Sequence, residues 1–533
     1  TGMLEQPLRE LPVVGEYGWN QWANTSQPFA ILLWVLLFEA LGLIAWPLSR
    51  RIFGGVPDLA WAWSKLVGLL VWGYAIWLPV SLGWWSYTWR SLLVGGAAIS
   101  ILSWLAAGRP WRLRGGRGLP LANMLRFEAL FVGAFALWTL VRAANPDVWH
   151  PWLGGEKPFE FGMLNAIVRS PVMPPPDPFF SGGVINYYYY GLFLVSVPIR
   201  ATGIDPAIAF NLIIPLLFAL VVVGAVAVVR ALTGSWRWGS IGALFLCVLG
   251  PIASVFPIGE SRGLRAPLDA LEPGIAGWAG RLGDWFWGPS RVIPHTINEF
   301  PLFSYLFADL HPHMIALPIT LLLLALAIHV GRGLFSAREL GAQWPALLMA
   351  SLVLGTLAAA NSWDAPTAAL VLGGALAGRA WRSNARVVWL FTRLRRMIAA
   401  AFLSVGLLAG GLLLYLPFFL YFRAMVGGIG RVREPDSLLQ FGVLFGTSLY
   451  VVLTLLVGLS WIVLPRLARP VFAQGRRRGT AMAPVVGLSL GLGAWAVAER
   501  VSAAQPQAAP AGGPLLPVVL IVLVCIGLLL ALV

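Results

Sequence analysis

Residues 206–230 read PAIAFNLIIPLLFALVVVGAVAVVR, a stretch with no charged side chain before Arg230. A helix of about 20 apolar residues spans the hydrocarbon core of a bilayer, so the stretch predicts a transmembrane helix. Similar runs lie at 28–47, 59–82, 84–107 and 122–144 before it, and at 238–257, 303–331, 344–361, 365–381, 397–422, 440–464, 480–497 and 515–533 after it. The whole chain agrees with its parts. Of 533 residues, 59% are hydrophobic and 11% charged, too few charges for the polar skin of a soluble globule. The expected fold is an all-α polytopic membrane protein with about 13 transmembrane helices.

The 37 Lys+Arg against 22 Asp+Glu leave a formal charge of +15. On a soluble protein that excess would suggest nucleic acid. Here the basic residues fall in short clusters between apolar runs: Arg50-Arg51, Arg109 to Arg117, Arg230 to Arg237, Arg332 to Arg338, Arg379 to Arg396 and Arg466 to Arg478. That is the positive-inside pattern. It makes the bilayer the partner, excludes nucleic acid, and puts these clusters in the cytoplasm of a plasma-membrane protein. The outer face then receives two long loops, 145–186 and 258–302, which are expected to carry short interfacial helices. Between Asn186 and Arg230 an odd number of crossings is required, yet two apolar pieces lie there, 187–203 and 206–230. The piece from Tyr187 to Gly203 is therefore expected to be short or re-entrant.

Three regions follow. Residues 1–121 form an interfacial segment and three helices, 122–423 a core with the two outer loops, and 424–533 the last helices with a Pro/Ala/Gly-rich linker at 499–514. The first apolar run, from Pro28, is long enough to stay as an anchor. Cys247 and Cys525 both sit in apolar stretches, so no disulfide framework or thiolate metal site is expected.

Polar groups at a bilayer are costly unless paired or functional, and four passages concentrate them. The first runs from Arg142 through Asn145-Pro-Asp147 to Glu156-Lys157-Pro-Phe-Glu160, where a carboxylate beside a lysine can serve as general base next to a phosphate grip; a solvated loop with helix caps is the plain alternative. The second is Pro174-Pro-Pro-Asp177-Pro, then Gly182-Gly183, then Asn186-Tyr187-Tyr188-Tyr189-Tyr190. Its prolines and glycines predict an ordered loop that reverses tightly, and its tyrosines suit either an interfacial belt or a binding surface. The third is His295 to Glu299 and Asp309-Leu-His311-Pro-His313, which holds three of the five histidines. Asp309, His311 and His313 can bind a divalent cation or grip a phosphate. The fourth is Asn361-Ser-Trp363-Asp364-Ala-Pro366, where Asp364 also reads as a helix cap. Glu39, Lys65, Arg90, Arg126 and Glu128 lie within or at the ends of spans and read as packing pairs or as side chains that snorkel to the interface.

Together these passages resemble the YYY membrane family of Chloroflexi and archaea (DUF2298). The matching pieces are Asn145-Pro-Asp147, Glu156-Lys157-Pro158, Pro175-Pro-Asp177-Pro178, Ile185-Asn-Tyr-Tyr-Tyr189, Glu299-Phe-Pro301, Ala308-Asp-Leu-His-Pro-His313 and Asn361-Ser-Trp-Asp364. That family in turn looks like the GT-C superfamily of glycosyltransferases, which use a sugar linked to a polyprenyl phosphate. The resemblance implies a GT-C-like core, a catalytic carboxylate at Glu156 with Asp147 and Glu160 as rivals, and an outward-facing active site. It implies substrate contacts from Arg142, Lys157, Asp177, Asn186, Tyr187, Tyr188, Tyr189, Glu299, Asp309, His311, His313, Trp363 and Asp364. A divalent cation is the only cofactor it brings into question, and the acceptor stays open. The chain departs in having Glu-Lys-Pro where the superfamily has an acidic pair. Two rival readings are a transporter or flippase of lipid-linked substrates, which would place ionisable residues deep in its spans, and a non-catalytic subunit on a degenerate transferase scaffold.

Overall fold

The computed structural model describes residues 14–15, 17–54, 57–107, 121–149, 155–254, 286–293, 295–333, 335–382, 390–424 and 436–468. Among these residues the chain is helical, with no strand beyond one isolated bridge, Pro176 to Val184. Contacts divide it into two compact units, Thr1–Val248 with Ser304–Val426, and Leu249–Phe303 with Gly427–Val533.

In the first unit the helices are α1 (Gln21–Thr25), α2 (Gln27–Ile52), α3 (Pro57–Ser81), α4 (Trp89–Ala107), α5 (Leu121–Ala144), α6 (Lys157–Arg169), α7 (Tyr189–Thr202), α8 (Pro206–Thr233) and α9 (Trp236–Val248). After α10 (Pro301–Phe307), which begins in the second unit, come α11 (Pro312–Val330), α12 (Ala337–Ala342), α13 (Trp344–Ala360), α14 (Asp364–Arg382), α15 (Leu390–Leu414) and α16 (Leu416–Tyr421). The second unit holds α17 (Leu438–Ala468), which packs on the turn Ile252–Ser254.

Eight described helices are long and apolar enough to cross a membrane: α2, α3, α4, α5, α8, α11, α15 and α17. The chain is thus a multi-pass membrane protein, but the expected thirteen spans are not reproduced. The runs at 480–497 and 515–533 lie outside the described residues. The run 238–257 yields only the 13-residue α9, because Gly250-Pro251 follows and proline cannot continue a helix. The run 303–331 is two helices, broken where Ala308 takes φ +63 and Pro312 starts α11. The run 397–422 is likewise divided at Tyr415, with Pro417 in the first turn of α16. The runs at 344–361 and 365–381 do form helices, α13 and α14, although α13 has only 17 residues and α14 carries charge at both ends.

The tyrosine segment is the centre of this unit. Helix α7 has 14 residues, a length of roughly 21 Å, and all but Ala201 are buried. It is shorter than the hydrocarbon core of about 30 Å. Neighbours on every side, among them α2, α3, α6, α11 and α13, wrap it. Gly203, at φ +67, ends it in the left-handed conformation.

The unit has two chemically different ends. At one, Arg379 donates to the carbonyl of Val330 and to Gln343 and pairs with Glu339, while Arg382 donates to Gly331 O and Arg332 to Ala231 O. These are the C-terminal ends of α8, α11 and α14, where cations complement the helix dipole. At the other end lie the N-termini of α7, α11 and α14, with Glu156, Glu160, Asp309, His311 and His313. Between the ends, α13 and α15 cross at a glycine pair: a methyl group on Gly355 would meet the carbonyl oxygen of Gly411 and the ring of Tyr415. Small residues allow such close approach in membranes. Gly355→Ala is expected to destabilise the protein by about 1–3 kcal/mol through overpacking, to be read as an earlier midpoint in detergent-induced unfolding.

Candidate functional site

Helix α6 begins on a glycine. Gly155 is at φ +61, and a Cβ there would collide with Asp309 Oδ2 and the ring of Phe307. The bare backbone lets the Glu156 N–H donate to Asp309 Oδ2 at 2.9 Å. Glu156 is the N-cap and Pro158 lies in the first turn, where its missing N–H costs nothing. From there Lys157, Glu160, Leu164 and Ile167 recur at helical spacing and are buried, so the inward face opens with two charged residues.

The groups they meet come from the break between α10 and α11. Ala308, left-handed at φ +63, reverses the chain after α10, and His311 becomes the N-cap of α11. Asp309 and His311 are thereby turned onto α6. Lys157 Nζ lies 3.2 Å from Asp309 Oδ1 and 4.4 Å from the centre of the Phe307 ring. His311 Nδ1 is 2.6 Å from Glu160 Oε1 and 3.9 Å from Glu156 Oε2, and its Nε2 is 3.7 Å from Asp309 Oδ2. Burial is graded across the cluster. The Glu156 side chain is 65% exposed, His311 14% and Glu160 1%. Burial pushes the Glu160 carboxyl up to about 7, a rise that the neighbouring His311 opposes and Asp309 reinforces. Glu156, Glu160 and His311 each offer one ligand atom, and these atoms lie within 4.8 Å of one another.

The other passages attach to this cluster in part. His313 lies beside His311, their ring centres 5.4 Å apart and tilted by 32°, and shares a hydrogen bond of 3.2 Å with Ser304 Oγ. Asp364 interacts electrostatically with His313 and accepts from Asn361 Nδ2 at 3.1 Å. Tyr187 packs edge-on against Phe159 and feels the charges of Glu156 and Glu160; burial raises its hydroxyl pKa. Tyr188 Oη bonds Ser362 Oγ at 2.9 Å, which ties the tyrosine passage to the α13–α14 corner. Trp363 in that corner is 73% exposed. Arg142 donates to Asn211 Oδ1 at 2.7 and 3.0 Å and lies in the fields of Asp147 and Asp309.

Several expected site residues are occupied otherwise. Asp147 is exposed and closes a turn by accepting from Trp149 N at 2.8 Å. Asp177 accepts from Phe179 N and Phe180 N and so shapes the reversal that ends at Gly183. Asn186 exchanges two hydrogen bonds with the backbone of Arg423. Tyr189 is buried, accepts from Trp77 Nε1 and packs on Phe418, away from any open surface. Glu299 belongs to the second unit. Gly155 serves the cluster through its bare backbone and Ser304 through its hydroxyl, and neither lies in a motif that would single it out; the Gly-Gly before Glu156 is the hint the sequence offers.

No curated protein and no solved structure matches the chain. A family model does, over residues 71–533, and by that match the chain belongs to the family of uncharacterized membrane proteins described as DUF2298.

Proposed function

We propose that the chain is a membrane glycosyltransferase that moves a sugar from a polyprenyl-phosphate donor to an acceptor at the outer face of the plasma membrane. The observation that carries this reading is the meeting of Glu156, Lys157, Glu160, Asp309 and His311 at one end of a helical bundle. A lipid donor keeps its polyprenyl chain in the bilayer and presents its phosphate at that level. In the transfer, the acceptor oxygen bonds the anomeric carbon, the bond from that carbon to the phosphate oxygen breaks, and polyprenyl phosphate leaves with the electron pair. The acceptor proton goes to a carboxylate. Glu156 takes this role because it is the exposed acid of the cluster, whereas Glu160 is buried against His311 and Asp147 holds a turn. Trp363 and Tyr187 offer flat faces to a sugar ring. The outward orientation is supported by the arginines at the opposite end of the unit, since basic ends stay inside.

The test incubates purified protein in lipid with radiolabelled polyprenyl-phosphate sugars. Donor is expected to be consumed, Glu156→Gln to slow consumption by about 10²–10⁴-fold, and Asp147→Asn to stay within a few-fold of the parent. If no donor is consumed, or Glu156→Gln matches the parent, the proposal fails.

A further inference from the structure

The charges of the cluster do not suit a phosphate by themselves. Glu156, Glu160 and Asp309 face the ammonium of Lys157, which is already paired with Asp309 at 3.2 Å, while Arg142, whose charge also reaches Asp309, is held by Asn211. An incoming phosphate would meet an excess of negative charge. We propose that Glu156, Glu160 and His311 bind a divalent cation of the Zn²⁺ or Mn²⁺ class and that this cation receives the donor phosphate. The part about phosphate rests on the transferase reading; cation binding does not.

Three features favour a cation. The ligand set is two carboxylate oxygens and one imidazole nitrogen, a mixture suited to these metals, with the ligand atoms within 4.8 Å of one another. The deepest ligand, Glu160, is 1% exposed, and the polar group that faces it at 2.6 Å is the His311 imidazole, itself a member of the ligand set. A buried carboxylate in that condition calls for a proton or a metal. The third feature is the surroundings of His311. Its Nδ1 faces the two glutamates while Asp309 Oδ2 lies on its Nε2 side at 3.7 Å, the side from which a carboxylate that closes to hydrogen-bond distance would orient a metal-binding imidazole. Asp309 is itself held by Lys157 and by the Glu156 N–H, so it is a positioning residue. Because Glu156 is largely exposed, the cation would keep a side open to solvent and phosphate. One oxygen of Glu156 suffices as ligand, leaving the other to take the acceptor proton.

The test uses the full chain in lipid nanodiscs, stripped with a chelator and titrated separately with ZnCl₂ and MnCl₂. One equivalent of at least one cation is expected to bind, read by calorimetry and by a raised unfolding midpoint. Glu160→Gln and His311→Ala should each weaken binding 10-fold or more, and Asp309→Asn by 10–100-fold. His329→Ala, at the opposite end of α11, should bind as the parent does. Glu156→Gln, on an exposed side chain, supplies a ligand variant that does not disturb the interior and should also bind at least 10-fold more weakly. Absence of binding, or binding unchanged in Glu156→Gln and Glu160→Gln, overturns the cation site. Donor consumption that survives chelation would leave the transferase standing without a metal, whereas a bound cation with no donor consumed would sink the transferase alone.

Discussion

Lys157→Met is expected to lower stability by about 3–5 kcal/mol, because breaking a buried ion pair from one side leaves an uncompensated charge. Lys157 is 7% exposed and Asp309 3%. The ammonium also lies over the Phe307 ring, so its removal loses a cation–π contact along with the pair. The damage should spread, since Asp309 accepts the backbone N–H that starts α6 and stands behind His311. Asp309→Asn keeps an oxygen for the Glu156 N–H but removes the charge. The double variant, Lys157→Met with Asp309→Asn, is therefore expected to regain most of the stability lost in Lys157→Met. Unfolding titrations in mixed micelles on the parent, both single variants and the double variant close the cycle. A loss below about 1 kcal/mol in Lys157→Met would mean that the pair behaves as a solvated surface bridge.

Much of this arrangement is legible in the sequence, and the places where it is not share a cause. Long apolar runs such as 206–230 and 28–47 became α8 and α2 because lipid imposes one requirement on them, about 20 predominantly apolar residues. Length failed as a guide where a break is made by one residue's backbone: nothing in the composition of 303–331 announces that Ala308 turns left-handed. The residue types of the candidate site were likewise visible, but their partners were not. Glu156, the N-cap of α6, and Glu160, four residues on, are brought near each other by helical spacing, yet the imidazole between them arrives from His311, brought in by tertiary packing. Asp177 and Asn186 read as binding groups because short polar side chains in turns look the same whether they contact a ligand or their own backbone. The tyrosine run divides by face. Tyr187 and Tyr188 meet the polar end, while Tyr189 and Tyr190 enter the core and bond Trp77 and Tyr415.

Away from that end, Lys65→Met is expected to be as damaging as any single change in the protein, by about 3–5 kcal/mol. Glu39 lies near the middle of α2, roughly 18 Å of helix from either end, a depth at which an unpaired charge is expensive. Its Oε2 is 3.1 Å from Lys65 Nζ on α3, which also reaches Glu128 Oε1 on α5 at 2.6 Å. Trp61 Nε1 donates to the same Glu128 oxygen, and the ammonium lies 4.7 Å from the centre of the Phe131 ring. Two carboxylates thus share one ammonium, and the two glutamates do not have equal weight. Removing the charge of Glu39 leaves Lys65 and Glu128 as a neutral pair still supported by Trp61, so Glu39→Gln should change stability by less than about 1 kcal/mol, in either direction. Removing Lys65 strands both carboxylates among α2, α3 and α5, and each must take a proton or pull water into the bundle. The triple variant Glu39→Gln, Lys65→Met, Glu128→Gln carries no charge there and should recover most of the loss. Micelle unfolding ranks the series. If Glu39→Gln proves as harmful as Lys65→Met, the three groups act as a proton or cation site whose occupant needs both carboxylates, and the reading of the triad as a packing device is wrong.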